Sequence, residues 1–359
     1  MTEARLPLDR RRWLAWMAAS ALVPLGPSAR AEAASASRFV AAWEAEAGHR
    51  VGVLARTPQG LAAQSALEVP TRAHGLWVER GGTLLAAARR PGDWLVRWRP
   101  DGQALAWCWI EAGRAFNGHV IASADGRTLY TAETDLETAE GLIGVRDAAS
   151  LEKTDEWPTH GMDPHELLAD MDGSLVVANG GIPTLPETGR VKVHLDRMDA
   201  SLVRLDGSDG TLRGQWRLAD RRLSLRHMAW GARGQLGIAL QAEHDRAEDK
   251  AAAPLLALFD GRALRTVEAG HALAGYGGAI AFGGDRFAVS CPRANGVAMW
   301  RADGRWDGFT PLGEACALAP AQGGVWAGGR EQALPMAGAG GEAAVVAALR
   351  LDNHWAAMA

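Results

Sequence analysis

A short motif recurs along the chain, and it constrains the fold more than any other feature. His74-Gly-Leu-Trp-Val opens a pair of short apolar runs around a Gly-Gly turn. His119-Val-Ile-Ala does the same around Asp125-Gly126, His165-Glu-Leu-Leu around Asp172-Gly173, and His227-Met-Ala-Trp around a turn at Gly234. Weaker copies begin near Gly277 and at Cys316. Each copy reads as a β-hairpin, because two runs of strand-forming residues flank turn-forming Asp-Gly or Gly-Gly. Further strand candidates lie between the hairpins, including Trp94–Trp98, Gly141–Arg146 and Ser201–Leu205. Four strands per unit, at a period of roughly forty to fifty residues, is the signature of a propeller blade. The third unit is lengthened by an insertion over 180–199, expected to be a surface loop, and no long amphipathic helix pattern interrupts the series.

The two ends complete the count. Residues 38–70 supply three strand-like runs with no innermost partner, and the terminal Asp352-Asn353-His354-Trp355 resembles the start of an inner strand. Together they predict an all-β fold, a seven-bladed β-propeller closed by N- and C-terminal strands that share one blade. Such closure removes the open sheet edge that a ring of separate blades would leave.

The start of each inner strand lies near one mouth of a propeller's channel. Around the ring this position reads His74, His119, His165 or Glu166, His227, Gly277, Cys316 and His354, in a chain with only 10 histidines. Glu133, Asn179 and Gln241 end the second strands of their blades and return to the same mouth. Imidazoles converging with carboxylates and a thiol ligate iron, copper or zinc. The candidate metal ligands are therefore His74, His119, Glu133, His165, Glu166, His227, Cys316 and His354, with His160 a secondary candidate from a loop. Iron ranks first, and Cys316 argues for copper as a softer ion. The same pattern also suits a duplicated structural histidine that hydrogen-bonds the neighbouring blade, and a site for small molecules without metal. His49, His194, His244 and His271 read as surface residues.

The first thirty-odd residues stand outside the repeat. Arg10, Arg11 and Arg12 precede Trp13-Leu14 and an apolar stretch, and Ala29-Arg30-Ala31 is a small-x-small cleavage site. This predicts a signal peptide over 1–31, of twin-arginine type or an ordinary secretory one, ahead of a single domain over 38–359. A net charge of −4 with no basic tract after the leader gives a nucleic acid or an anionic membrane no electrostatic hold. No later apolar run spans a membrane. Three cysteines leave at least one thiol outside any disulfide. Gly-rich stretches match no phosphate loop, and no Gly-x-Ser-x-Gly, His-Glu-x-x-His or haem-attachment motif occurs.

Taken together, Gly118-His119, Asp125-Gly126-Arg127, Tyr130-Thr-Ala-Glu133, Trp157-Pro-Thr-His160-Gly, Asp163-Pro-His165-Glu166, Val177-Ala-Asn179-Gly and Asp352-Asn353-His354 resemble an uncharacterised family of twin-arginine-exported, seven-bladed periplasmic propellers. The resemblance covers nearly all of the mature chain and is densest over 115–230. It implies a periplasmic location and a setting beside imelysin-type iron-uptake proteins. A monomer is expected for the mature chain. It brings no reaction. Three function classes stay open: a metal-binding accessory of iron or copper handling, a lactonase- or dehydrogenase-type enzyme working at the same mouth, and a protein-interaction scaffold.

Overall fold

A computed structural model describes residues 38–183, Lys192 and 194–358, apart from 322, 340, 341, 347 and 348. The expected leader, 1–31, lies outside the described residues. Among the described residues, seven antiparallel four-stranded sheets form a closed propeller. The inner strands are β4 (Ala73–Val78), β8 (Arg114–Ala122), β12 (Pro164–Ala169), β16 (Leu223–Trp230), β20 (Ile280–Gly283), β24 (Ala317–Ala321) and β28 (Arg350–Met358). Each contacts the next around the ring, from β28 through β4 and back through β24. One short α-helix, α1 (Ala247–Ala252), is described beside three 3-10 turns, and no described helix is long and apolar enough to cross a membrane.

Closure follows the expected arrangement. β28 pairs antiparallel with β1 (Arg38–Ala45), Arg38 opposite Met358 and Ala41 opposite Trp355, and β2 (Gly48–Thr57) and β3 (Gly60–Val69) complete the blade. Trp355 stacks on Phe39 with ring centroids 4.9 Å apart, and both are buried. The first and last segments of the domain thus share one hydrophobic core.

The core lies between blades. Strands buried on both faces need apolar side chains at every position. β5 (Leu84–Ala88) shows this as Leu-Leu-Ala-Ala-Ala without an exposed residue. Small alanines let neighbouring sheets approach, and fully buried Trp94, Trp98, Trp300 and Trp326 fill the wider gaps. Two of these indoles satisfy their N–H, Trp94 on Thr71 Oγ1 at 2.8 Å and Trp300 on the Glu268 carbonyl at 2.7 Å. The insertion over 180–199 connects β13 (Leu175–Asn179) to β14 (Ser201–Leu205), as the repeat spacing predicts.

Candidate metal centre

Five inner strands carry a histidine, and all five break register at it. The pairing of β4 with β5 skips from Ala73 to Leu76 around His74, and that of β8 with β9 (Thr128–Asp135) skips from Phe116 to Val120 around His119. β12 skips at His165, β16 between Leu225 and Met228 around His227, and β28 between Leu351 and Trp355 around His354. β20 and β24, whose slots hold Gly277 and Cys316 in place of histidine, pair without a break. A β-bulge turns a side chain out of the alternation of its strand. Here it turns five imidazoles toward the axis, and strands β8, β16 and β28 begin several residues earlier than the histidine, not at it.

Backbone space is cleared for them. Gly118 has φ +108°, and a Cβ there would lie 2.7 Å from the His74 ring. Gly75 approaches the Gly118 carbonyl so closely that a Cβ would sit 2.2 Å from it. Any side chain at either position would push two of the bulges apart.

The rings form one cluster. His74 lies 4.4 Å from His354, 4.9 Å from His119, 5.3 Å from His165 and 5.8 Å from His227, centroid to centroid. His165 and His227 are 4.4 Å apart, as are His227 and His354. One nitrogen from each of His74, His119, His227 and His354 falls within 4.8 Å of the other three. Four nitrogens bound tetrahedrally to one ion at ~2.1 Å stand ~3.4 Å apart. The widest separation therefore has to close by up to ~1.4 Å for all four to reach a common ion.

Neither nitrogen of His74 has a hydrogen-bond partner, nor do His119 Nε2, His165 Nδ1, His227 Nδ1 or His354 Nε2, although all are buried. Buried polar atoms without partners are costly, so a cluster of them at one point calls for ordered water or a ligand there. Burial first, then the neighbouring histidines and arginines, hold the imidazoles of His74, His119, His165 and His227 well below their ordinary range; burial brings His354 to about 4. The rings are thus neutral at neutral pH, the form in which imidazole binds metal.

Glu166 sits behind two of them. Its oxygens lie 3.6 Å from His119 Nδ1 and 3.8 Å from His227 Nδ1, and the Met228 backbone N–H donates to it. Burial raises its pKa to about 8, so in the metal-free protein it is largely the neutral acid at neutral pH, and both imidazole contacts are longer than hydrogen bonds. A cation bound beside it would favour its carboxylate, the form that accepts from an Nδ1–H and leaves the other ring nitrogen to the ion. The extra residue in this blade places both alternatives read from sequence, His165 in the cluster and Glu166 at its rim.

The chain belongs to the family described as a protein of unknown function, DUF1513, whose match spans residues 67–358. All five clustered histidines lie within that span. No curated protein matches the chain. Among solved structures, it is similar to hydrazine synthase of Kuenenia stuttgartiensis, with 12% identity and a TM-score of 0.59 over 78% of this chain and 89% of that one. It is also similar to a catalytically inactive virginiamycin B lyase from Staphylococcus aureus, at 14% identity and a TM-score of 0.53, covering 73% of this chain and 79% of that one. A streptogramin B lyase gives 12% and 0.53 over 83% of each. At such identities the likeness is one of fold.

The remaining sequence candidates are placed elsewhere. Glu133 is fully buried in an ion network, one oxygen 2.8 Å from Arg146 Nη2 and the other 2.7 Å from Lys153 Nζ. With both oxygens held by cations, it serves the packing of its blade and is not a ligand of the cluster. The Cys316 thiol meets Asn353 Oδ1 at 3.1 Å, and burial pushes its pKa up to about 12. It is a neutral thiol outside the four-nitrogen group, which removes the softness argument for copper. Asn179 donates to the Thr159 carbonyl at 2.9 Å, and Gln241 to Glu243 at 2.5 Å. His160 is exposed, with its carbonyl accepting from Gln215.

Sequence reading missed the basic residues around the mouth. Asp163, fully buried with φ +53°, accepts from both Arg90 and Arg226. Arg226 directly precedes His227, and Arg89 and Arg90 follow the second strand of the His74 blade. No shared repeat position marks them, since Arg226 lies within its inner strand whereas Arg89 and Arg90 follow a second strand.

Proposed function

We propose that the protein binds one divalent first-row transition metal ion at the channel mouth through His74, His119, His227 and His354. His165 stands beside the ion and Glu166 orients two of the ligands. The supporting observation is the set of four buried, neutral nitrogens converging within 4.8 Å, each delivered by a register break that, among the inner strands, occurs only in those that carry a histidine. A purely structural histidine would hydrogen-bond its neighbouring blade, whereas His74 bonds nothing. An imidazole set with one nearby carboxylate suits a borderline ion. Iron is the first choice and copper the second, in a periplasmic accessory role beside other iron-uptake proteins, as the family resemblance implies.

The test is titration of purified, untagged protein with Fe(II) under anaerobic conditions and with Cu(II), beside a His119→Ala/His227→Ala double variant. The reading expects one tight site in the wild type and a loss of at least 100-fold in the variant. Equal, weak binding by both would return the histidines to a structural role.

A further inference from the structure

Of the five clustered histidines, His165 alone lies outside the four-nitrogen group. Its Nε2 meets His227 Nε2 at 3.0 Å, its Nδ1 has no hydrogen-bond partner, and the residue is buried. A neutral imidazole carries a proton on one nitrogen and a lone pair on the other, so the two facing Nε2 atoms hold a single proton between them. Glu166 flanks the Nδ1 of His227, which leaves Nε2 to an ion. An ion bound there takes up that lone pair, and the bond between the two rings cannot persist. His165 then faces the ion with both nitrogens free of protein partners.

A cavity of about 220 Å³ has His165 in its wall, together with two of the proposed ligands, His74 and His227. An ion held by those two rings therefore turns one side toward the cavity. Among the described residues, no aspartate, glutamate or cysteine lines it, so the wall brings no carboxylate or thiol to that side. Two of its amides are engaged elsewhere: Asn117 Nδ2 donates to Thr134 Oγ1 and to the Pro164 carbonyl, both at 2.9 Å, and Gln241 donates to Glu243. The fifth blade contributes Gly277, which has no imidazole to offer. Four-coordinate metal sites expand to five when a small donor can reach the ion. The volume equals that of about seven water molecules in the liquid, enough for a donor of a few atoms and too small for a peptide or nucleotide. With no carboxylate in the wall, an anionic donor meets no like charge there.

We infer that the metal site keeps one coordination position open to this cavity, and that His165 donates a hydrogen bond to a small anionic donor bound there. The inference rests on the metal reading. His165 is a positioning residue in it: the donor gives a lone pair to the ion and accepts the N–H that His227 has given up. No covalent bond breaks, so the exchange needs no co-reactant. Four imidazoles closed around an ion only store it, whereas a site with such a position exchanges small ligands at the metal.

The test is azide titration of untagged protein loaded with Cu(II), followed by the azide-to-metal charge-transfer absorption, with metal-free protein as the blank. A His165→Leu variant removes the donor at similar volume, and a His165→Gln variant supplies an amide N–H in its place; thermal melts of both are recorded. We expect wild-type protein to bind one azide per ion, His165→Leu to bind it about ten-fold more weakly or worse, and His165→Gln to recover part of the loss. Copper affinity should stay within about ten-fold in both variants. A metal-loaded wild type whose spectrum azide leaves unchanged would overturn the inference and leave the metal reading intact. Equal azide affinity in the wild type and His165→Leu would also overturn it, because His165 would then not touch the donor. Loss of copper beyond ten-fold by either variant with an unchanged melt would make His165 a ligand, with the same consequence. Failure of the wild type to bind metal at all would instead reject the metal reading, and the inference with it.

Discussion

His165 Nε2 lies 3.0 Å from His227 Nε2, with both rings buried. In the metal-free protein this is a hydrogen bond between neutral imidazoles, one donating and one accepting. A neutral imidazole binds an ion through its free lone pair and keeps its other N–H, and the four candidate ligands are already neutral at neutral pH. Metal binding should therefore release no proton from the rings at pH 7. In a Glu166→Gln variant, which has no carboxyl beside the ion to titrate, this is read as a binding enthalpy independent of the buffer; release of a proton per ion there would show that a ring is charged beforehand.

Glu166→Gln should lower metal affinity by about 10–100-fold without removing a ligand, because the amide no longer fixes the tautomers of His119 and His227. A competition titration against a chromophoric chelator reads this. Unchanged affinity would show that Glu166 does not orient them.

Glu133 and Cys316 serve as the contrasting pair. Cys316→Ser should leave metal affinity within about two-fold, since its thiol faces Asn353. Glu133→Gln should likewise spare metal binding but destabilise the fold by ~3–5 kcal/mol, because it leaves buried Arg146 and Lys153 poorly compensated. A loss of metal by either variant above ten-fold would restore that residue to the ligand set.

The histidine cluster predicts a direction for pH. The folded-state pKa of each ring is depressed, to about 4 for His354, from an unfolded value of 6.5. As pH falls below 6.5 the unfolded chain takes up protons that the folded one refuses. Stability of the metal-free protein is therefore full above pH 6.5 and is lost progressively toward pH 4. Urea midpoints measured across this range should fall with pH, and a variant with His74 and His227 both replaced by Ala should fall less steeply.

Closure couples the two ends of the domain. Trp355→Ala should cost ~3–5 kcal/mol, because it removes a buried indole packed on Phe39 in the shared blade. Chemical denaturation checks this, and a cost below ~1 kcal/mol would mean that the shared blade contributes little to the ring.

The repeat made the blade count legible, since strand pattern and turn chemistry are local properties that each unit restates. It also brought His74, His119, His165, His227 and His354 together, because a ring places equivalent positions at one mouth. It misplaced Glu133 for a physical reason. Position along a strand gives height on the channel, but the alternation of strand faces sends Glu133 into its own blade's network with Arg146 and Lys153. Cys316 shared the histidine slot, yet its strand β24 has no bulge to aim it inward. The register breaks, which decide which side chains reach the axis, depend on pairing with the second strand and left no mark in composition. The basic residues at the mouth were likewise hidden, because Arg89, Lys192, Arg226 and Arg293 come from separate segments that only the closed ring assembles.

The most direct measurement is anomalous diffraction at the iron edge from crystals grown with Fe(II) under anaerobic conditions. The account predicts one peak at the channel mouth, ~2.0–2.2 Å from a nitrogen of each of His74, His119, His227 and His354. A cluster without a peak at saturating metal, or a peak bound elsewhere on the chain, would contradict it.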